Sequence, residues 1–112
     1  MRIHAPVLVK LEGRRRRQVQ AARLIVRGRV QGVGFRWWAA RQASLLDLDG
    51  SVRNRSDGSV ELVVAGSEEA IGEFVSLCRT GPPGAEVEEV SSEEWAQLVE
   101  KGFRIARSAG PG

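Results

Sequence analysis

The residues of this chain whose types and spacing are most suggestive of chemistry stand together. From Gly28 to Arg36 the sequence reads Gly-Arg-Val-Gln-Gly-Val-Gly-Phe-Arg, three glycines in seven positions and then an arginine. Glycine permits backbone conformations closed to other residues. A glycine-rich turn that runs into a helix aims several unpaired N–H groups at one point, and such a point attracts phosphate. The spacing of Gly28, Gly32 and Gly34 is not G-x-G-x-x-G, and Phe35-Arg36 stands where a nucleotide-triphosphate loop needs Lys followed by Ser or Thr. Both familiar nucleotide motifs are therefore excluded on residue type. A tight strand-to-helix connection without a ligand is the other reading of the same glycines. Arg36 tips the balance towards an anion, because a cation in a first helical turn faces the positive end of the macrodipole. Its planar fork can take two phosphate oxygens while loop amides take others. An arginine turned out to solvent is the alternative.

Asn54 ends a candidate strand, Gly50 to Asn54, beside a hairpin turn, where asparagine is a common turn residue. Its carboxamide could instead accept from a water and donate to a neighbour, holding a nucleophile without ionising. The only histidine, His4, and the only cysteine, Cys78, leave no cluster able to hold a metal and no internal disulfide. No metal or cofactor is implied, and a reducing, cytoplasmic setting is the default expectation. Trp37 and Trp38 read as packing and partly exposed surface rather than a base-stacking platform, and Trp95 as packing near the last strand.

These residues need elements to hold them. Leu24-Ile25-Val26, ahead of Gly28, reads as a strand, and Phe35 to Leu46 as a helix with Phe35, Trp38, Ala39, Ala43 and Leu46 near one face. Gly50 to Asn54 and Ser59 to Ala65 flank Arg55-Ser56-Asp57-Gly58, and the Asp-Gly pair signals a hairpin. Val60, Leu62 and Val64 fall on one face of its second strand. Ser67 is a plausible N-cap, with Glu68 and Glu69 suited to the positive end of the helix that follows. Ile71, Phe74, Val75 and Cys78 repeat at i, i+3, i+4, i+7, which puts Cys78 on a buried stripe as an inert core thiol. Gly81-Pro82-Pro83-Gly84 ends that helix, Glu86 to Val90 alternates as an exposed strand, and Phe103 to Ala106 offers a short last strand. Strand, helix, strand, strand, helix, strand is the ferredoxin-like split arrangement, an α/β sandwich with two helices on one face of a mainly antiparallel sheet.

The composition allows such a domain. The chain has 112 residues, 42% hydrophobic and 28% charged, with no apolar stretch near the twenty residues that a membrane helix requires. Its net charge is +3, but residues 1–20 hold Arg2, Lys10 and Arg14 to Arg17 against Glu12 alone, a balance of +5 that leaves −2 for the rest. Residues 1–20 thus read as a basic, flexible extension, residues 21–107 as the folded domain and residues 108–112 as a frayed end. The domain has no basic face to recommend it for nucleic acid, and only the basic tail offers that contact. Nothing suggests a signal peptide.

The stretch from Gly28 to Arg36, followed by Gly50-Ser51-Val52-Arg53-Asn54 and Asp57-Gly58-Ser59-Val60-Glu61, closely resembles the acylphosphatase family. The resemblance runs ungapped from about Ala22 to Ile105 and takes in Gly81 to Gly84 and Gly102-Phe103-Arg104-Ile105. It implies the same ferredoxin-like fold and hydrolysis of acyl phosphates to a carboxylate and inorganic phosphate, without metal or cofactor. By position, Arg36 resembles the family's phosphate-binding catalytic arginine and Asn54 its water-orienting asparagine. Gln31, Gly32, Val33, Gly34, Phe35 and Arg36 match its anion-binding loop. Two positions depart from the common pattern. Ser51 replaces a frequent Trp, with a consequence expected for packing beside Asn54, and Asp47 replaces the Gly that usually ends the first helix. The competing expectations are an anion-binding module of the same fold without turnover, and a domain that anchors a polybasic nucleic-acid-binding arm.

Overall fold

The computed structural model describes residues 6–7 and 19–108. Along the chain run β1 (Pro6–Val7), β2 (Val19–Arg29), α1 (Phe35–Leu45), β3 (Asp49–Asn54), β4 (Val60–Gly66), α2 (Glu68–Thr80), β5 (Glu86–Glu94) and β6 (Phe103–Ile105). The sheet order is β1-β2-β4-β3-β6, with β5 also paired to β2. Every pairing is antiparallel except β3 with β6, which is parallel. Both helices pack on one face, as the ferredoxin-like reading requires. The arginine run at 14–17 and residues 109–112 lie outside the described residues, so the expectations for the basic extension and the C-terminal end fall largely there. Within the described part, β2 starts at Val19, ahead of the boundary drawn from composition, and pairs with Pro6–Val7.

Period-two alternation on the strands and the helical stripes meet in one core. Val60, Leu62 and Val64 of β4, with Leu24 and Val26 of β2 and Val52 of β3, are fully buried against Phe35, Ala39 and Ala43 of α1 and Ile71, Phe74 and Cys78 of α2. Burial pushes the Cys78 thiol up to about 12, which keeps it protonated and inert at neutral pH. Helix α2 has the ends its sequence announces. Ser67 Oγ accepts from the Ala70 N–H at 3.1 Å, Glu68 and Glu69 sit in the first turn, and Gly81 closes the helix at φ 72°.

Three elements differ from the sequence expectation for physical reasons. Strand β5 continues through Ser91, Ser92, Glu93 and Glu94, a polar run without apolar alternation, because these residues pair with β2 from Ile25 back to Ala22. Backbone pairing sustains this polar end of the strand. Trp95 does not pack on the last strand; it lies with Ala21, Ala65, Val63 and Val99 in a smaller cluster on the sheet face away from the helices. Ser51 lies on that outer face too, since Val52 and Asn54 alternate with it and Val52 is in the helix-side core. The absent Trp therefore alters the outer face, not the side of the sheet that carries Asn54.

Asp47 accepts the left-handed conformation at φ 60°, alone among the described non-glycine residues. The Asp47 N–H donates to Ser44 O at 3.1 Å and the Leu48 N–H to Ala43 O at 2.9 Å. This is the paired C-terminal capping pattern, with Leu48 and Ala43 buried together as its apolar contact. The left-handed residue in such a cap is usually glycine because a Cβ costs about 1–2 kcal/mol there. Asp47→Gly is expected to stabilise the domain by about 1 kcal/mol and to raise Tm by roughly 4–8 °C in thermal unfolding. A lower Tm would mean that the Asp47 side chain contributes more than its backbone costs.

On the outer face Glu61 is buried to 6% exposure between two arginines. Arg23 Nε donates to its Oε2 at 2.6 Å and Arg53 Nε to its Oε1, while Arg23 also reaches Glu93 at 2.8 Å. Burial alone would push this carboxyl up, but the two arginine hydrogen bonds outweigh it and leave it below the usual range. A lowered folded-state value means that the contribution is complete above the ordinary carboxylate value and is lost as pH falls below it. Glu61→Gln should cost about 2 kcal/mol in urea unfolding at pH 7, with the gap to wild type narrowing steadily below about pH 4. A gap that persists unchanged to pH 2 would contradict the charge-based account.

Candidate active site

The glycine loop is held at both ends by buried apolar side chains. Val30, 1% exposed, and Phe35, 2% exposed, belong to the core, so the intervening Gln31 to Gly34 must turn tightly at the surface. Gly32 and Gly34 make that turn at φ 78° and 80°. A Cβ at either would meet nothing within 4 Å. Their requirement for glycine is one of backbone conformation, and the space beside them is open to an incoming group. Gly34 is also the N-cap of α1 and supplies no side-chain acceptor, and the first turn contains no acidic residue. The N–H groups of this helix end are accordingly left for another acceptor.

Arg36 lies in that first turn, half-buried. Among the described residues no carboxylate comes within salt-bridge distance of it, whereas Arg23, Arg27, Arg29, Arg53, Arg55 and Arg104 each have one. Asn54 is the last residue of β3, half-buried and on the helix side of the sheet. A cleft of about 230 Å³ brings these groups together. It is lined by Val30, Gly32, Gly34, Phe35, Arg36, Trp37, Asn54 and Ile105. Of the loop residues singled out by sequence, Gly32, Gly34, Phe35 and Arg36 line it; Val33 turns towards the core and Gln31 towards the hairpin.

The two tryptophans of α1 divide as helical geometry dictates. Trp38 packs edge-on against Phe35, with ring centroids 5.3 Å apart, whereas Trp37 is 64% exposed, lies under the Arg41 guanidinium and forms part of the cleft wall with Ile105. Neither Trp37 nor Ile105 stood out as a cleft residue in the sequence. Ile105 arrives there because β6 pairs in parallel with β3, opposite Val52, and nothing local in the chain announces that pairing.

The turn after Asn54 is stiffened by its own polar groups. The Ser59 hydroxyl and backbone N–H both donate to Asp57 Oδ1 and hold this carboxyl far below the usual range, with Arg27 and Arg55 on the same carboxylate adding to the effect. Across the base of the turn the Arg55 N–H donates to Ser59 O at 2.9 Å. Asn54 thus stands at the start of a well-braced hairpin.

A sequence profile described as acylphosphatase matches residues 22–105 of the chain. The acylphosphatase of Rhodopseudomonas palustris strain BisB5 is 55% identical over 74 residues, covering 66% of this chain and 75% of its own. That of Moorella thermoacetica is 51% identical over 87 residues, covering 78% and 94% respectively. The crystal structure of the Bacillus subtilis acylphosphatase superposes with a TM-score of 0.74 at 39% identity, covering 79% of this chain and 98% of that one. With a glycine loop, an arginine and an asparagine on one cleft of the expected fold, and relatives at this level of identity, the chain belongs to the acylphosphatase family and is a hydrolase of acyl phosphates.

Proposed function

We propose that Arg36 and Asn54 carry this hydrolysis, with the backbone N–H groups of residues 31–36 as the phosphate cradle. The observation that supports the assignment is the meeting of Arg36, Asn54, Gly32 and Gly34 on one cleft, although Asn54 comes from a different element. In this reading the guanidinium of Arg36 takes two phosphate oxygens and the loop amides take others. Negative charge spreads over the equatorial oxygens of a loose phosphoryl-transfer transition state, where these donors stabilise it. The leaving group is a carboxylate whose conjugate acid has a pKa of about 4, so it departs without a proton donor and without a Lewis acid. Water held by the Asn54 carboxamide attacks in line and passes its proton to the substrate phosphate. Asn54 is then a positioner and not a base, which an amide could not be.

The substrate is a small acyl phosphate and the product inorganic phosphate; the single, buried Cys78 suits a reducing compartment, and the cytoplasm is the proposed location. Among the described residues no helix is long and apolar enough to cross a membrane. The test is the initial rate of benzoyl phosphate hydrolysis in EDTA for the full chain and for Arg36→Ala and Asn54→Ala. Turnover in EDTA that both substitutions suppress supports the assignment. A folded wild-type chain that binds phosphate but leaves benzoyl phosphate intact in EDTA would refute it.

A further inference from the structure

Gln31 sits in the loop, yet its side chain does not face the cleft. Its Nε2 donates to Arg55 O at 2.8 Å and to Ser59 O at 2.9 Å. Both partners are carbonyl oxygens, so only the NH₂ end of the carboxamide can point there, and both of its hydrogens are committed. The two carbonyls belong to the hairpin that begins at Asn54. Arg55 is the next residue, and Ser59 O also accepts from the Arg55 N–H. One side chain therefore ties the glycine loop to the backbone immediately after Asn54.

We propose that Gln31 is a positioning residue that sets the distance between the phosphate cradle and the asparagine on the other side of the cleft. This rests on the assignment of Asn54 as the group that orients water. The loop and the end of β3 are separate surface segments, and in-line attack requires them to hold fixed relative positions. The loop's own glycines give it no side chain with which to reach the hairpin, and Val30 and Phe35 anchor it only to the core. The Gln31 amide supplies the lateral link. A misplacement of about 1 Å in such a geometry can cost on the order of 100-fold in rate, whereas phosphate held by the loop amides and Arg36 does not depend on where Asn54 stands.

The experiment compares Gln31→Met in the full chain and in an Asn54→Ala background, measuring kcat for benzoyl phosphate and the inhibition constant of inorganic phosphate. Met keeps the length and packing of Gln and removes both donors. In the otherwise wild-type chain kcat is expected to fall about 10- to 100-fold, with phosphate inhibition changed less than about twofold. In the Asn54→Ala background the same substitution should change kcat by less than about twofold, since there is no longer an oriented group to misplace. Equal losses in the two backgrounds, or phosphate affinity falling in step with kcat, would overturn the proposal. So would an unchanged kcat. Gln31→Glu is the second variant, of the same shape but setting an anionic oxygen against at least one carbonyl; it should lose turnover by a comparable or larger factor, and wild-type kcat in it would also overturn the proposal. If Asn54→Ala alone turned over normally, the role of Asn54 would fail; equal losses on a slow Asn54→Ala background would defeat only the role of Gln31.

Discussion

Replacing Arg36 with alanine is expected to lower kcat/KM for benzoyl phosphate by about 10²- to 10⁴-fold, with both a higher KM and a lower kcat. Two charge-assisted hydrogen bonds to phosphate oxygens, each about 1.5–3 kcal/mol, account for a loss of this size. The substitution acts on both terms because the guanidinium meets the phosphate in the bound substrate and meets more charge in the transition state. Inorganic phosphate should also inhibit the variant far less. Arg36 is half-buried and has no carboxylate partner among the described residues, so its removal leaves no orphaned buried charge and the fold should survive. Arg36→Lys should remain well below wild type, since an ammonium offers a point charge where a planar fork is needed. Wild-type kcat/KM in Arg36→Ala would remove Arg36 from the site.

The elements most legible in the sequence were those whose side chains all obey one local rule. The repeat of Ile71, Phe74, Val75 and Cys78, capped by Ser67 and ended at Gly81, describes α2 almost to the residue because period and capping are both local. The glycine loop was legible as a candidate site for the same reason, with its glycines and Arg36 contiguous and brought to one cleft. Gln31 was legible as a loop residue but not as a link, since its partners lie 24 and 28 positions away and a carboxamide in a turn carries no mark of its target. Glu61 alternates with Val60 and Leu62 and so reads as a solvent-facing residue. It does point outwards, but Arg23 and Arg53 from the neighbouring strands cover it, which only the sheet order determines. Ser51 shows the same limit in reverse: being near Asn54 in sequence suggested a shared environment, and strand alternation put it on the other face.

Asn54→Ala should lower kcat about 10²- to 10³-fold while KM and phosphate inhibition stay near wild type. Truncating a preorganised polar group at a reacting centre costs about 2.7–4 kcal/mol, and the loss falls on kcat if the group touches water and not the bound phosphate. The hairpin should hold without it, because Arg55, Asp57 and Ser59 brace the turn through bonds that do not use the Asn54 side chain. Asn54→Asp sharpens the test. If the residue acted as a base, a carboxylate in its place would retain or raise turnover. If it orients water by both accepting and donating, a carboxylate keeps only the acceptor and adds a negative charge facing a phosphate dianion, so kcat should stay low and KM should rise. A parallel rise in KM for Asn54→Ala would instead place Asn54 on the phosphate itself and would transfer the water-holding role to another group of the cleft. The pair of variants therefore separates three arrangements that share the same static geometry: amide positioner, base and phosphate ligand.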